Sequence, residues 1–206
     1  MNPTVAALQA TFGEGTAIGR ALVARDGETV VYVAGDRLLD VMRWLRQTPG
    51  QEYDYLVDVT AVEYRDRERP LEVVYFLRSL ARRADLRVKV ELAAAGDLAV
   101  DSVCGLWRGA DWLEREVYDM FGITFRGHPD LRRILMWETY AEGYPLRKDF
   151  PLRGRFSRAE QVRQALNANP EAHYSLDELS IADAWGDLPE DIRERLRRGE
   201  RGKIPE

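Results

Sequence analysis

The run from Leu86 to Leu92 alternates without a break. Leu86, Val88, Val90 and Leu92 fall on one side, and Arg87, Lys89 and Glu91 on the other. A period of two belongs to a strand, whose successive side chains point to opposite faces. One face must be buried and the other wet, so the segment predicts a sheet covered on one side only. Leu71–Leu77 and Tyr53–Tyr64 read as further strands, separated by the charged turn Arg65 to Pro70. Arg20–Ala24 and Thr29–Ala34 read as two more, around the hairpin pair Asp26-Gly27. Helices are expected over Val5–Phe12 and from Asp36 to the stop at Pro49-Gly50. The second has an apolar face of Leu38, Leu39, Val41, Met42 and Leu45. A third helix is expected over Asp97–Trp107, where Val100, Val103, Cys104 and Trp107 recur at i, i+3, i+4 and i+7. Strands that succeed one another without crossover helices argue against a doubly wound nucleotide fold. The order predicts an α+β domain, a mixed β-sheet with helices packed on one side.

The stretch Asp111 to Leu152 has a different character. Asp111 and Glu114 have the spacing of a capping box. Leu113, Val117, Met120 and Phe121 give that helix an apolar face, and Gly122 stands where a left-handed residue ends it. Asp111–Arg115 and Arg115–Asp119 are expected as i,i+4 ion pairs. Glu114 and Glu116 point about 200° apart on such a helix, so they form no close carboxylate pair, and surface or intersubunit ion pairs are expected instead. Beyond Gly122, a short strand at Ile123–Phe125 is followed by the turn Gly127-His128-Pro129-Asp130. The prolines at 145 and 151 argue against regular structure after that. An irregular segment cannot satisfy its own backbone groups, so it must lie on something. We therefore divide the chain into an α+β core domain, 1–121, and an extended, partly helical C-terminal interaction arm, 122–206. Ser157 and Glu160 form a second capping-box pair at a helix expected over Ser157–Asn167.

Composition removes several functions. The lone Cys104 excludes an internal disulfide and any cluster held by several thiolates of this chain. On the apolar face of its helix it reads as a buried thiol. Neither glycine-rich nucleotide fingerprint occurs. His128 and His173 are the only histidines, without the ligand spacing of a metal site. The N-terminus lacks a signal-peptide pattern, and no apolar run approaches the roughly 20 residues of a membrane span. The chain carries a formal charge of −5, yet residues 126–158 hold eight basic and four acidic side chains. Phe125, Trp137, Tyr140, Tyr144, Phe150 and Phe156 interleave with them. Arginine with tryptophan and tyrosine is the composition of protein interfaces, and also that of a single-stranded nucleic-acid groove. The acidic balance favours protein.

Glu114-Arg115-Glu116, Asp119-Met120-Phe121-Gly122, His128-Pro129, Arg132-Arg133-Ile134-Leu135 and Pro145-Leu146-Arg147-Lys148-Asp149 together resemble the signature of the C-type, or thirty-kilodalton-type, subunit of respiratory NADH:quinone oxidoreductase, complex I. The family usually has His where this chain has Tyr144. The resemblance extends more loosely from about Leu22 to Leu152.

The resemblance implies a cofactor-free structural subunit of the hydrophilic arm. FMN and Fe-S clusters are then expected on partner subunits, which pass electrons from NADH to quinone coupled to proton translocation. It implies contact chiefly with the D-type subunit, which helps form the quinone site, and also with cluster-bearing neighbours, through the signature residues just named. Nucleic acid is not expected as a partner. Contact with the membrane is expected only through the complex, at the cytoplasmic face of a bacterial inner membrane. The competing readings are an equivalent subunit of a membrane-bound hydrogenase-type complex, a free-standing nucleic-acid-binding module, and an independent enzyme, for which no site is evident.

Overall fold

The computed structural model describes residues 2–168, apart from 14, 16, 17, 25, 26, 94, 95 and 153. It opens with helix α1, Pro3–Phe12, whose first turn is set by Pro3 and by the Asn2 side chain accepting from the Thr4 N–H. Strands β1, Ile18–Val23, and β2, Thr29–Val33, form the expected hairpin. A single 3₁₀ turn, Gly35–Arg37, leads into α2, Leu38–Gln47, which buries Leu38, Val41, Met42 and Leu45. Then come β3, Tyr55–Glu63, β4, Leu71–Ser79, and β5, Ala84–Leu92.

These five strands form one sheet in the order β1-β2-β5-β4-β3. All neighbours are antiparallel except β2 and β5, which are parallel, so the sheet is mixed. Its register explains the alternation in β5. Leu86, Val88, Val90 and Leu92 stand opposite Leu77, Tyr75, Val73 and Leu71, and all eight are buried. Burying each such side chain contributes about 1.5–3 kcal/mol. The same cluster takes in Leu8, Val41, Met42, Leu45, Val117, Met120 and Phe121, so one sheet face receives the helices. The architecture is the α+β one expected.

The other face is polar and internally paired. Glu72 would repel Glu91, its cross-strand partner. Glu72 instead receives Lys89 at 2.8 Å and Arg67 at 2.6 Å, while Glu91 pairs with Arg20 at 2.7 Å. Arg20 and Arg67 lie over the rings of Tyr32 and Tyr64, so Glu72 is excluded from solvent on the uncovered face.

The helix expected over 97–107 is absent. Ala99–Asp101 is instead strand β6, paired in parallel with β7, Thr124–Arg126. The apolar spacing there fits a helix equally well. Val100 is buried in the small sheet, and residues 104–106 form a turn. Helix α3, Ala110–Phe121, follows. Its N-cap is Gly109 rather than Asp111, with no side-chain cap bond, so the capping box expected at its start does not form. Gly122 ends it with a left-handed φ of 74°.

Residues 1–155 form one compact unit and 156–206 a second. The irregular segment belongs to the first of these units, bonded onto α3. In the second unit, α4 spans Arg158–Ala168, and Ser157 Oγ accepts from the Glu160 N–H as its spacing predicted. The arm expected beyond residue 168, with His173, lies outside the described residues.

Candidate functional site: a segment latched to helix α3

Helix α3 faces two ways. Val117, Met120 and Phe121 pack into the core, while Arg115 and Asp119 turn toward residues 131–152. Asp119 is fully excluded from solvent. Its Oδ2 accepts the consecutive backbone N–H groups of Ile134, Leu135 and Met136 at 3.0, 2.8 and 2.8 Å. Its Oδ1 takes Arg133 Nη1 at 2.6 Å. Burial pushes this carboxyl up, but donation from Met136, Ile134, Arg133 and Leu135 outweighs it, and the group sits below the usual carboxylate range.

Arg133 completes the latch. It donates to the carbonyls of Asp119 and Gly143, and its guanidinium lies 5.2 Å from the ring centroids of both Tyr140 and Tyr144. Arg115 donates to the carbonyls of Arg132 and Arg133 at 3.2 and 3.1 Å. Lower in the segment, Leu146 N–H donates to Met120 O, and Arg147 donates to Phe121 O. The Glu63 carboxylate accepts the Lys148 N–H, and that of Glu142 accepts the Arg155 N–H. The irregular backbone therefore lies on this chain's own core, where carboxylates and arginines take the place of a ladder.

These contacts revise several sequence expectations. Neither i,i+4 pair on α3 forms: Arg115 reaches segment carbonyls, and Asp119 pairs with Arg133. The hydrogen bonds to fixed backbone groups displace the weak helical pairs. Arg126 pairs with Asp101 and Asp97, Arg132 with Asp130, and Arg147 lies 3.8 Å from Glu63 and Asp149. Four of the eight basic residues in the stretch 126–158, Arg126, Arg132, Arg133 and Arg147, thus have acidic partners within the chain.

Glu114 is not the surface residue expected. It is buried, accepting from Val103 N–H at 2.7 Å and Ser102 Oγ at 2.6 Å, with Cys104 Sγ at 3.3 Å. Burial raises its pKa, against the lowering effect of Ser102, Val103, Cys104 and His128. The carboxylate fixes the 102–104 turn that replaces the expected helix. Glu116, two positions on, is exposed. Cys104 sits in that turn rather than on a helix face, and its thiol is pushed up to about 12 by burial and by the Glu114 charge.

The His128 side chain is fully covered. The Asp130 N–H donates to its Nδ1, which places the ring proton on Nε2, 3.1 Å from Asp111 O. Pro129 follows it in the turn at 129–130. Ligand atoms of Cys104, Glu114 and His128 lie within 4.8 Å of one another. Each is committed to a hydrogen bond: Glu114 accepts three, Cys104 donates one, and both His128 nitrogens are used. Hydrogen bonding therefore accounts for the grouping. The donors were unreadable in sequence because they come from a turn, a helix and a second turn.

Among its exposed residues, which include Arg132, Glu138, Lys148 and Asp149, the segment also presents large apolar side chains. Leu135 is 61% exposed, Leu146 53% and Leu152 102%, with Trp112 of α3 at 63%. The Leu135 N–H is held by Asp119, so its side chain stands on a fixed backbone. No described helix is long and apolar enough to cross a membrane.

The profile of the family described as respiratory-chain NADH dehydrogenase, 30 Kd subunit, matches residues 31–156, which include the whole latched segment. The C-type subunit of NADH-quinone oxidoreductase from Citrifermentans bemidjiense is 47% identical over 128 residues, covering 62% of this chain and 77% of the relative. Its counterpart from Geobacter sulfurreducens is 45% identical over 129 residues, with the same two coverages, 62% and 77%. Among solved structures, a chain of the membrane-bound sulfane sulfur reductase, an archaeal respiratory membrane complex, shares the fold. It has a TM-score of 0.58 at 23% identity, over 72% of this chain and 84% of that one.

Proposed function

The chain belongs to the 30 kDa subunit family of respiratory-chain NADH dehydrogenase, and from that premise we propose that it works there as a structural subunit of the hydrophilic arm of NADH:quinone oxidoreductase. The enzyme passes electrons from NADH through FMN and Fe-S clusters to quinone and couples this to proton translocation. This chain carries none of those groups in our reading. Its partners hold the cofactors, and its own part is to keep them in register. The complex is held at the cytoplasmic face of the bacterial inner membrane, which this protein meets only through its neighbours.

The observation that supports this reading is the contrast within the matched region. The backbone of the segment is engaged on α3, while Leu135, Leu146 and Leu152 face outward. Apolar side chains carried at a surface on a hydrogen-bonded backbone suit a protein partner, since little backbone order is lost on docking. We take that partner to be chiefly the D-type subunit at the quinone site. The relatives at 45–47% identity belong to NADH-quinone oxidoreductases, which favours this machine over a hydrogenase-type one. Gentle purification of the native complex provides the test. The chain is expected to travel with NADH-dependent quinone reduction, and its recovery as a lone monomer bearing a stoichiometric redox centre would overturn the reading.

A further inference from the structure

The sequence places Asp119 at an interface with a neighbour, yet the residue is wholly buried and bonded within its own chain. We propose that Asp119 is a positioning residue for assembly, setting how tightly the neighbouring protein binds by fixing the backbone of residues 133–136 without meeting that neighbour. The inference rests on the reading that this segment docks.

The argument starts from the number of constraints one side chain imposes. Three successive amides converge on a single carboxylate oxygen, and the other oxygen holds the arginine that precedes them. Residues 134–136 are bends without helix or strand hydrogen bonds. No ladder would retain their conformation if the carboxylate were removed. Arg115 holds only the carbonyls of 132 and 133, which lie upstream of Leu135. Met136 also packs on the core, but the three bonded amides make Asp119 the group that sets the backbone around Leu135, the exposed apolar side chain in the middle of the nest.

The latch also extends downstream. Arg133 bridges Asp119 to Gly143 O and lies over Tyr140 and Tyr144. Tyr144 in turn packs on Gly122 at the end of α3. One carboxylate thus orders both the loop at 133–136 and the approach to Leu146. An amide in its place keeps the shape but loses the charge that draws Arg133 and half the acceptor capacity. The freed loop would have to be ordered again each time the neighbour binds, and that cost appears as lost affinity.

The experiment uses the full-length chain in the cells that assemble the complex, with Asp119→Asn and Leu135→Asp compared in parallel. In the Asp119→Asn chain, amide exchange at 134–136 should quicken by about tenfold or more, while amides of β4 and β5 and the melting temperature hold. Recovery of assembled complex on native gels should fall by about tenfold at limiting partner, since each 1.4 kcal/mol of lost ordering is a factor of ten. Normal assembly despite quickened exchange would overturn the inference, and so would loss of the whole fold, because Asp119 would then be a core residue. If Leu135→Asp assembles normally, the docking reading itself falls and takes the inference with it. If Leu135→Asp fails while Asp119→Asn assembles normally, only the positioning role falls.

Discussion

The ring of Tyr144 fills the space that a side chain on Gly122 would need: a Cβ there would overlap Tyr144 Cε2, Cζ and Cδ2. Gly122 also holds a φ of 74°, which L-residues other than glycine adopt at a cost. The helix end and the latched segment are therefore closed by one glycine and one aromatic ring. Gly122→Ala is expected to lower stability by about 2 kcal/mol or more, combining the left-handed penalty with the clash. In a Tyr144→Ala background the same change should cost only about 1 kcal/mol. Denaturant titration of the four chains checks this, and strict additivity would show that the ring is not the obstacle.

Charge reversal separates structural from outward-facing cations. Arg133 is largely buried against Asp119, and Arg147 donates to Phe121 O. Reversing either should loosen the segment within the isolated chain, seen as faster proteolysis between residues 131 and 152. Arg132 is exposed in its pair with Asp130, and reversing it should leave proteolysis and the melting temperature essentially unchanged. Any loss of assembly from Arg132→Glu then reports on the interface alone.

Glu114 gives a pH signature. Its pKa is raised in the folded chain, so the folded state keeps its proton to higher pH than the unfolded one. The stability linked to that proton is fully present below the ordinary glutamate value of about 4.3 and is lost as pH rises through the folded value. Glu114→Gln should flatten that part of the profile and cost under about 1 kcal/mol at neutral pH, because the amide still accepts from Val103. Glu114→Ala leaves the Ser102 hydroxyl proton and the Val103 N–H without their acceptor and should cost about 2–4 kcal/mol. Equal effects of the two substitutions would contradict the hydrogen-bonding role.

The Cys104 thiol, pushed up to about 12, stays protonated at neutral pH. Alkylation in the folded chain should run more than about tenfold slower than for an ordinary exposed cysteine, and should recover on denaturation. Mass spectrometry after timed iodoacetamide exposure measures this, and fast native labelling would place the thiol outside the Glu114 network.

The sheet was legible because its residues carry the signal themselves. Leu86, Val88, Val90 and Leu92 alternate with charges, and the register sets each against an apolar residue of β4. Gly122 was legible for the same reason, since its conformation favours one residue type. In the small sheet β7 was legible, expected at Ile123–Phe125 and found at Thr124–Arg126, but β6 was not, because three residues are too few for a period and Val100, Val103 and Trp107 fit helical spacing as well. The role of Asp119 was hidden for a deeper reason. Its partners are backbone amides, which every residue at 134–136 except proline would supply, so the identities of Ile134, Leu135 and Met136 say nothing of it. Arg115 was misassigned likewise, its carbonyl acceptors being invisible in composition.

The parallel pairing of β2 with β5 sets an order of events during synthesis. The β1–β2 hairpin leaves the ribosome early, yet the strand it must join is not made until residues 84–92. The hairpin waits as an unsupported ribbon, marginal in water by itself, while β3, β4 and β5 close through short connections. Pulse-labelled amide exchange during refolding should therefore protect β3–β5 before β2, and the last seam of this domain to close is the one nearest its start.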